Sequence, residues 1–81
     1  MPSQPPGNLK ATVAANIKAE RERAGLRQRD LAERLDADPM LVSKWERGEH
    51  TPSAKYLSAL ALVFDRDLGW FYADHETRSA A

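Results

Sequence analysis

Eighty-one residues make one domain at most, and at this size the core is thin, so helices must pack economically or the chain must associate with itself. There is no cysteine, which excludes a disulfide framework and a thiolate zinc site. Twelve basic and twelve acidic residues cancel. The charge is unevenly spread, with nine basic and seven acidic residues over 10–47 and three and five over 48–81, which turns the front half towards an anionic partner. The opening residues lack the basic start and apolar stretch of a signal peptide, and the most apolar run, Tyr56 to Phe64, is too short to span a bilayer. The expectation is a cytoplasmic protein with no membrane role.

Residues 1–8 hold three prolines and a glycine and read as a disordered lead-in to a domain over 9–74, with 75–81 as a disordered tail. Asn8 or Thr12 can cap a first helix that runs to Ala24, with Leu9, Val13, Ile17 and Ala24 on one face and Gly25 closing it. A second helix is expected from Gln28 to Leu35, barely two turns, with Leu31, Ala32 and Leu35 facing inward. After a short turn at Asp36-Ala37-Asp38, Asp38 reads as a cap and Pro39 as the first residue of a third helix that reaches Arg47 and stops at Gly48. Val42 and Trp45 give that helix its inward face. Thr51-Pro52 repeats the start signal for a fourth helix with the stripe Ala54, Leu57, Leu60, Ala61 and Phe64. Asp67 can cap a last short helix holding Leu68, Trp70, Phe71 and Tyr72. No strand pattern competes, so the predicted fold is all-α, a compact bundle of five short helices.

Two short helices joined by a three-residue turn and flanked by core-supplying helices form the helix-turn-helix arrangement. The segments Leu26-Arg-Gln-Arg-Asp-Leu-Ala32, Val42-Ser-Lys-Trp-Glu-Arg-Gly48 and Pro52-Ser53 resemble the XRE/Cro-type helix-turn-helix domain of phage repressors and bacterial regulators, a lambda-repressor-like fold. The resemblance covers roughly Asn16 to Tyr72. It implies a sequence-specific regulator of transcription that binds double-stranded DNA in the major groove.

Under that resemblance each residue acquires an expected role. Ala32 is small because the two helices of the motif cross there. Glu46, a carboxylate near a helix C-terminus, opposes the macrodipole and needs a compensating partner. In the resembling family this glutamate pairs with an arginine of the first helix, here Arg21, as a structural salt bridge. The base-reading surface would be Asp38, Pro39, Met40, Ser43 and Lys44, with Lys44 able to donate to guanine and Met40 to lie against a thymine methyl. Arg27, Gln28, Arg47 and Lys55 would hold phosphates and fix orientation.

Some positions depart from the family pattern. Asp36 occupies the turn position that is usually glycine, although aspartate tolerates the left-handed conformation. Arg27 stands where a serine or threonine cap is usual. Pro39 has no donor for a base, which leaves Lys44 as the one strong base-edge donor and predicts modest discrimination per monomer.

Affinity would then come from pairing across two half-sites. Tyr56, Leu62, Val63, Trp70 and Tyr72 lie off or crowd the main stripe and form a candidate patch for a weak homodimer. His50 and His75 sit in no metal-ligand spacing, and no motif organises a nucleophile with a base, so neither cofactor, metal nor catalysis is expected. A second function class fits the same fold: a protein-interaction module, such as an antitoxin or adaptor, that binds a protein partner.

Overall fold

A computed structural model describes residues 9–75. Four α-helices follow one another: α1 (Leu9–Arg23), α2 (Gln28–Leu35), α3 (Pro39–Glu46) and α4 (Ala54–Phe64). The expected fifth helix is instead a single 3₁₀ segment, Leu68–Tyr72. Five residues suffice for little more than one turn, and i→i+3 bonding closes so short a piece more economically than α geometry. The described residues contain no strand. None of their helices is long and apolar enough to cross a membrane.

All four helices end in the same way. One residue turns into the left-handed region, and the next amide reaches back five residues to a carbonyl of the last turn. Gly25 and Gly48 do this at φ of 74° and 75°. Leu26 N–H donates to the Arg21 carbonyl and Glu49 N–H to that of Lys44, each at 3.0 Å. Asp36 and Asp65 take the same role at φ of 55° and 56°, with Ala37 N–H bonded to the Ala32 carbonyl and Arg66 N–H to that of Ala61, each at 2.9 Å. These bonds satisfy carbonyls that a helix end would otherwise leave orphaned. Aspartate is among the few non-glycine residues that enter this region as single residues, so neither turn requires a glycine.

The starts differ more. Asp38 accepts from Met40 N–H at 2.8 Å, and Pro39 is the first residue of α3. At α2 the cap residue is Arg27, whose side chain makes no cap bond, and the Asp30 carboxylate accepts the Arg27 N–H at 2.8 Å instead. Asn8, the first cap expected for α1, lies outside the described residues. Thr12, the alternative, sits inside a helix already under way at Leu9. α4 begins two residues later than the Thr51-Pro52 signal implies, with Ser53 at the cap position. Pro52 is buried rather than placed at the helix surface, so it ends the connecting loop by packing inward.

The core is drawn from every element: Val13 and Ile17 of α1, Leu31, Ala32 and Leu35 of α2, Val42 and Trp45 of α3, Leu57 and Leu60 of α4, and Phe71 of the 3₁₀ segment. Ala32 is fully buried where α2 packs against α3. The expected faces hold less well at their edges, since Leu9 and Ala24 are exposed at the two ends of α1 and Ala54 is exposed at the start of α4.

The C-terminal segment is fastened to α1 by polar groups. Buried Asn16 donates from Nδ2 to the carbonyls of Phe71 and Ala73, both at 2.8 Å. One turn on, Glu20 is almost fully buried and pairs with Arg23 and, across the chain, with Arg66 at 3.3 Å. The Arg66 guanidinium lies 4.5 Å from the centre of the Trp70 ring. His75, placed in the unstructured tail by the sequence reading, stacks on Trp70 at 4.0 Å between ring centres and meets the Trp70 carbonyl through Nε2 at 2.7 Å. Asn16→Ala leaves carbonyls unpaired and is expected to cost about 2 kcal/mol, roughly 8–16 °C in Tm for a domain of this size. Thermal melts followed by circular dichroism check this, and an unchanged midpoint would refute the fastening role.

Candidate nucleic-acid interface

α2 and α3 have eight residues each, joined by the Asp36 left-handed turn, and α1 and α4 pack behind them. This is a helix-turn-helix unit with its second helix presented outward. Three donors hold α3 in place through one carboxylate. Arg21 Nε donates to Glu46 Oε2 at 2.6 Å, and Arg21 Nη2 and Gln28 Nε2 each donate to Oε1 at 3.0 Å. The third guanidinium nitrogen, Arg21 Nη1, donates to the Leu26 carbonyl at 2.7 Å. The Leu26 amide returns a bond to the Arg21 carbonyl, so the α1–α2 connection is closed from both sides. Only 12% of the Arg21 side chain and 4% of that of Glu46 remain accessible. The hydrogen bond to Glu46 is the chief cause that raises the Arg21 pKa above its ordinary value, against the opposing effect of burial.

Glu46 thus joins α1, the start of α2 and the end of α3. A carboxylate at the last helical residue opposes the macrodipole, and the guanidinium supplies the compensation. Gln28, expected to reach phosphate, spends its side-chain amide on Glu46. That observation moves the residue from the outer surface into the frame.

Beyond this frame, α3 presents Met40, 57% exposed, and half-buried Ser43 and Lys44. Asp38, Met40 and Lys44 border an open cleft of about 500 Å³ that continues along Trp45, His50 and Tyr56 between α3 and the start of α4. The Tyr56 ring packs against Trp45 at 5.3 Å, and Lys55 Nζ lies 5.4 Å from the centre of the Tyr56 ring. Pro39 is exposed at the head of the helix.

The two outer arginines have carboxylate partners that the sequence reading missed. Arg27 forms a two-point pair with Asp30, at 2.9 and 3.1 Å. Arg47 pairs with Glu49 at 2.7 and 3.3 Å and also donates to the Ser43 hydroxyl. The i,i+3 and i,i+2 spacings of these pairs are visible in the sequence and were the available signal. The Arg27 side chain, and then its backbone N–H, hold the Asp30 carboxyl at about 2, while Arg47 lowers that of Glu49.

The five residues of the expected dimer patch differ in exposure. Tyr56, Val63 and Trp70 are half-buried against the core. Leu62, 83% exposed, and Tyr72, 40% exposed, are the two that face outward. No group of three or more metal-ligating side chains occurs among the described residues.

The arrangement is that of a helix-turn-helix unit, and comparison with known proteins gives the family. A family model described as Helix-turn-helix matches residues 17–71. The chain belongs to the XRE/Cro-type helix-turn-helix family. It is 33% identical over 67 residues to the HTH-type transcriptional regulator DicA of Escherichia coli (strain K12), an alignment that covers 83% of this chain and 50% of DicA. The chain therefore spans about half the length of that curated relative. No solved structure gives a significant match.

Two outcomes test this geometry. Removing one partner of a buried pair costs about 3–5 kcal/mol, so Arg21→Ala and Glu46→Ala should each lower the melting midpoint strongly. The double variant should cost less than the sum of the two, and additive losses in a double-mutant cycle would refute the pairing. The depressed Asp30 carboxyl favours the folded state above its unfolded value of 3.8, a contribution lost as pH falls through about 2. A carbon-detected NMR titration should place the Asp30 midpoint near 2; a midpoint at the ordinary value would show the pair open in solution.

Proposed function

We propose that this chain is a sequence-specific double-stranded DNA-binding regulator of transcription, a phage or bacterial repressor that acts by occupying an operator and obstructing polymerase. The observation that carries this reading is the division of α3. Val42, Trp45 and Glu46 fix the helix to the frame, while exposed Met40 and half-buried Ser43 and Lys44 keep part of their surface open to solvent. A helix held this firmly can place a lysine against guanine O6 and N7 with little loss of side-chain freedom elsewhere. The family membership and the name of the DicA relative support the same reading.

Arg27, Arg47 and Lys55 are assigned to phosphates, which set orientation rather than sequence. Gln28 contributes through the start of α2 and through Glu46. One α3 reads one half-site, so two protomers on sites about 34 Å apart would supply the remaining affinity. Leu62 and Tyr72 are the residues available for such a contact. The working environment of a repressor of this kind is the cytoplasm.

Fluorescence anisotropy with duplexes from around its own gene, at two salt concentrations, tests the proposal. Wild type should bind one fragment preferentially and lose affinity as salt rises, through release of condensed counterions. Lys44→Ala should lower that preference by about 1–3 kcal/mol. Equal binding to every fragment, unchanged in the variant, would refute sequence reading by α3. Absence of any duplex binding would transfer the fold to the second class, a module for a protein partner.

A further inference from the structure

Each outer arginine of the interface carries its own carboxylate. Arg27 is held at two points by Asp30, and Arg47 at two points by Glu49. Three of the four partners are exposed, with 72% of the Arg27 side chain, 50% of that of Arg47 and 48% of that of Glu49 accessible, while 27% of that of Asp30 remains so. Ion pairs this exposed add little to folding stability. Asp30 has a second task, since it accepts the Arg27 amide at the start of α2. Glu49 has no such task. It follows Gly48 at the C-terminal end of α3, where a negative charge opposes the helix dipole. Folding therefore gives only a weak reason for a carboxylate at that exposed place, where Arg47, and to a lesser degree Lys44 and His50, favour its charge. Lys44 and Lys55 form no ion pair among the described residues.

We infer that Asp30 and Glu49 are built-in counterions that occupy Arg27 and Arg47 in the free protein and hold down sequence-independent attraction to DNA phosphates. This deepens the DNA-binding reading and rests on it. When a free cation reaches a phosphate, the duplex releases a condensed counterion, and that release drives non-specific binding. Arg47 held beside Glu49 brings no net charge to the duplex, so the pair displaces little of the condensed counterion. Arg27 and Arg47 still orient the protein on the backbone, but each contact is an exchange of partners and adds little affinity. Sequence-independent attraction falls mainly to the lysines, and occupancy of a site comes to depend on what α3 finds in the groove. A chain of zero net charge with a DNA-reading helix is the expected product of such an arrangement.

The test is the salt dependence of binding to a random-sequence duplex of about two helical turns, measured by fluorescence anisotropy on the full chain. Glu49→Gln is the deciding variant, because it keeps the side-chain shape and removes the charge. It should steepen the slope of log K against log salt by about 0.9 per bound protomer and tighten binding about tenfold at 50 mM salt. Asp30→Asn should act in the same direction, since asparagine can still accept the Arg27 amide. Asp65→Asn removes one negative charge at the far end of α4, at a left-handed position that asparagine also tolerates, and should leave the slope unchanged.

If Glu49→Gln binds with the slope of the wild type, the inference is overturned while the DNA reading stands. If Asp65→Asn steepens the slope as much as Glu49→Gln, the effect belongs to net charge and the inference is again overturned. If neither wild type nor any variant binds a duplex at low salt, the DNA reading itself fails and takes this inference with it.

Discussion

The fold depends on one carboxylate. Glu46 receives Arg21 from α1 and Gln28 from the start of α2, and it ends the helix that faces outward. Two helices of eight residues cannot persist alone, and their apolar faces fix distance better than they fix rotation. Directional bonds to a group on α3 remove that rotational freedom. Burying the carboxylate is costly, and such a pair contributes little net stability against an apolar replacement. What it supplies is register: the angle at which Met40, Ser43 and Lys44 leave the surface follows from where Glu46 is pinned.

A second polar cluster works on another face of α1. Asn16 and Glu20 fasten the 3₁₀ segment and Arg66, with the Trp70 ring between Arg66 and His75. α1 therefore has two jobs on two faces, separated by about one turn. One holds α3 and the other closes the core with Phe71. In a domain too small for a deep hydrophobic interior, buried polar groups with complete sets of partners determine which of several similar packings is adopted. No buried side-chain nitrogen or oxygen among the described residues lacks a partner.

Most of the helical framework was legible because its signals are local. Asp38-Pro39 marks the start of α3, and Gly25 and Gly48 mark helix ends, each through chemistry within a few residues. The inward faces of α2 and α3 follow from spacing alone. Two features were not legible, and a third was overlooked. Thr51-Pro52 and Ser53 offer competing starts for α4, and only burial of Pro52 decides between them. The bond from Asn16 to Phe71 joins residues 55 apart, and no periodicity announces it. The partners of Gln28, Arg27 and Arg47 were missed for a related reason: a polar residue at an expected interface is read towards its ligand, while the nearest carboxylate in the folded chain takes it first.

The division of labour within α3 has an evolutionary consequence. Val42, Trp45 and Glu46 are tied to many neighbours, so change there is felt throughout the domain. Met40 is exposed and not tied in that way, and substitution at such a surface position changes stability by about 0.5 kcal/mol or less. Under the proposed function, descendants of this chain can therefore exchange what they recognise without first acquiring spare stability. New specificities are separated by single steps across nearly level ground, while the scaffold that presents them stays the same.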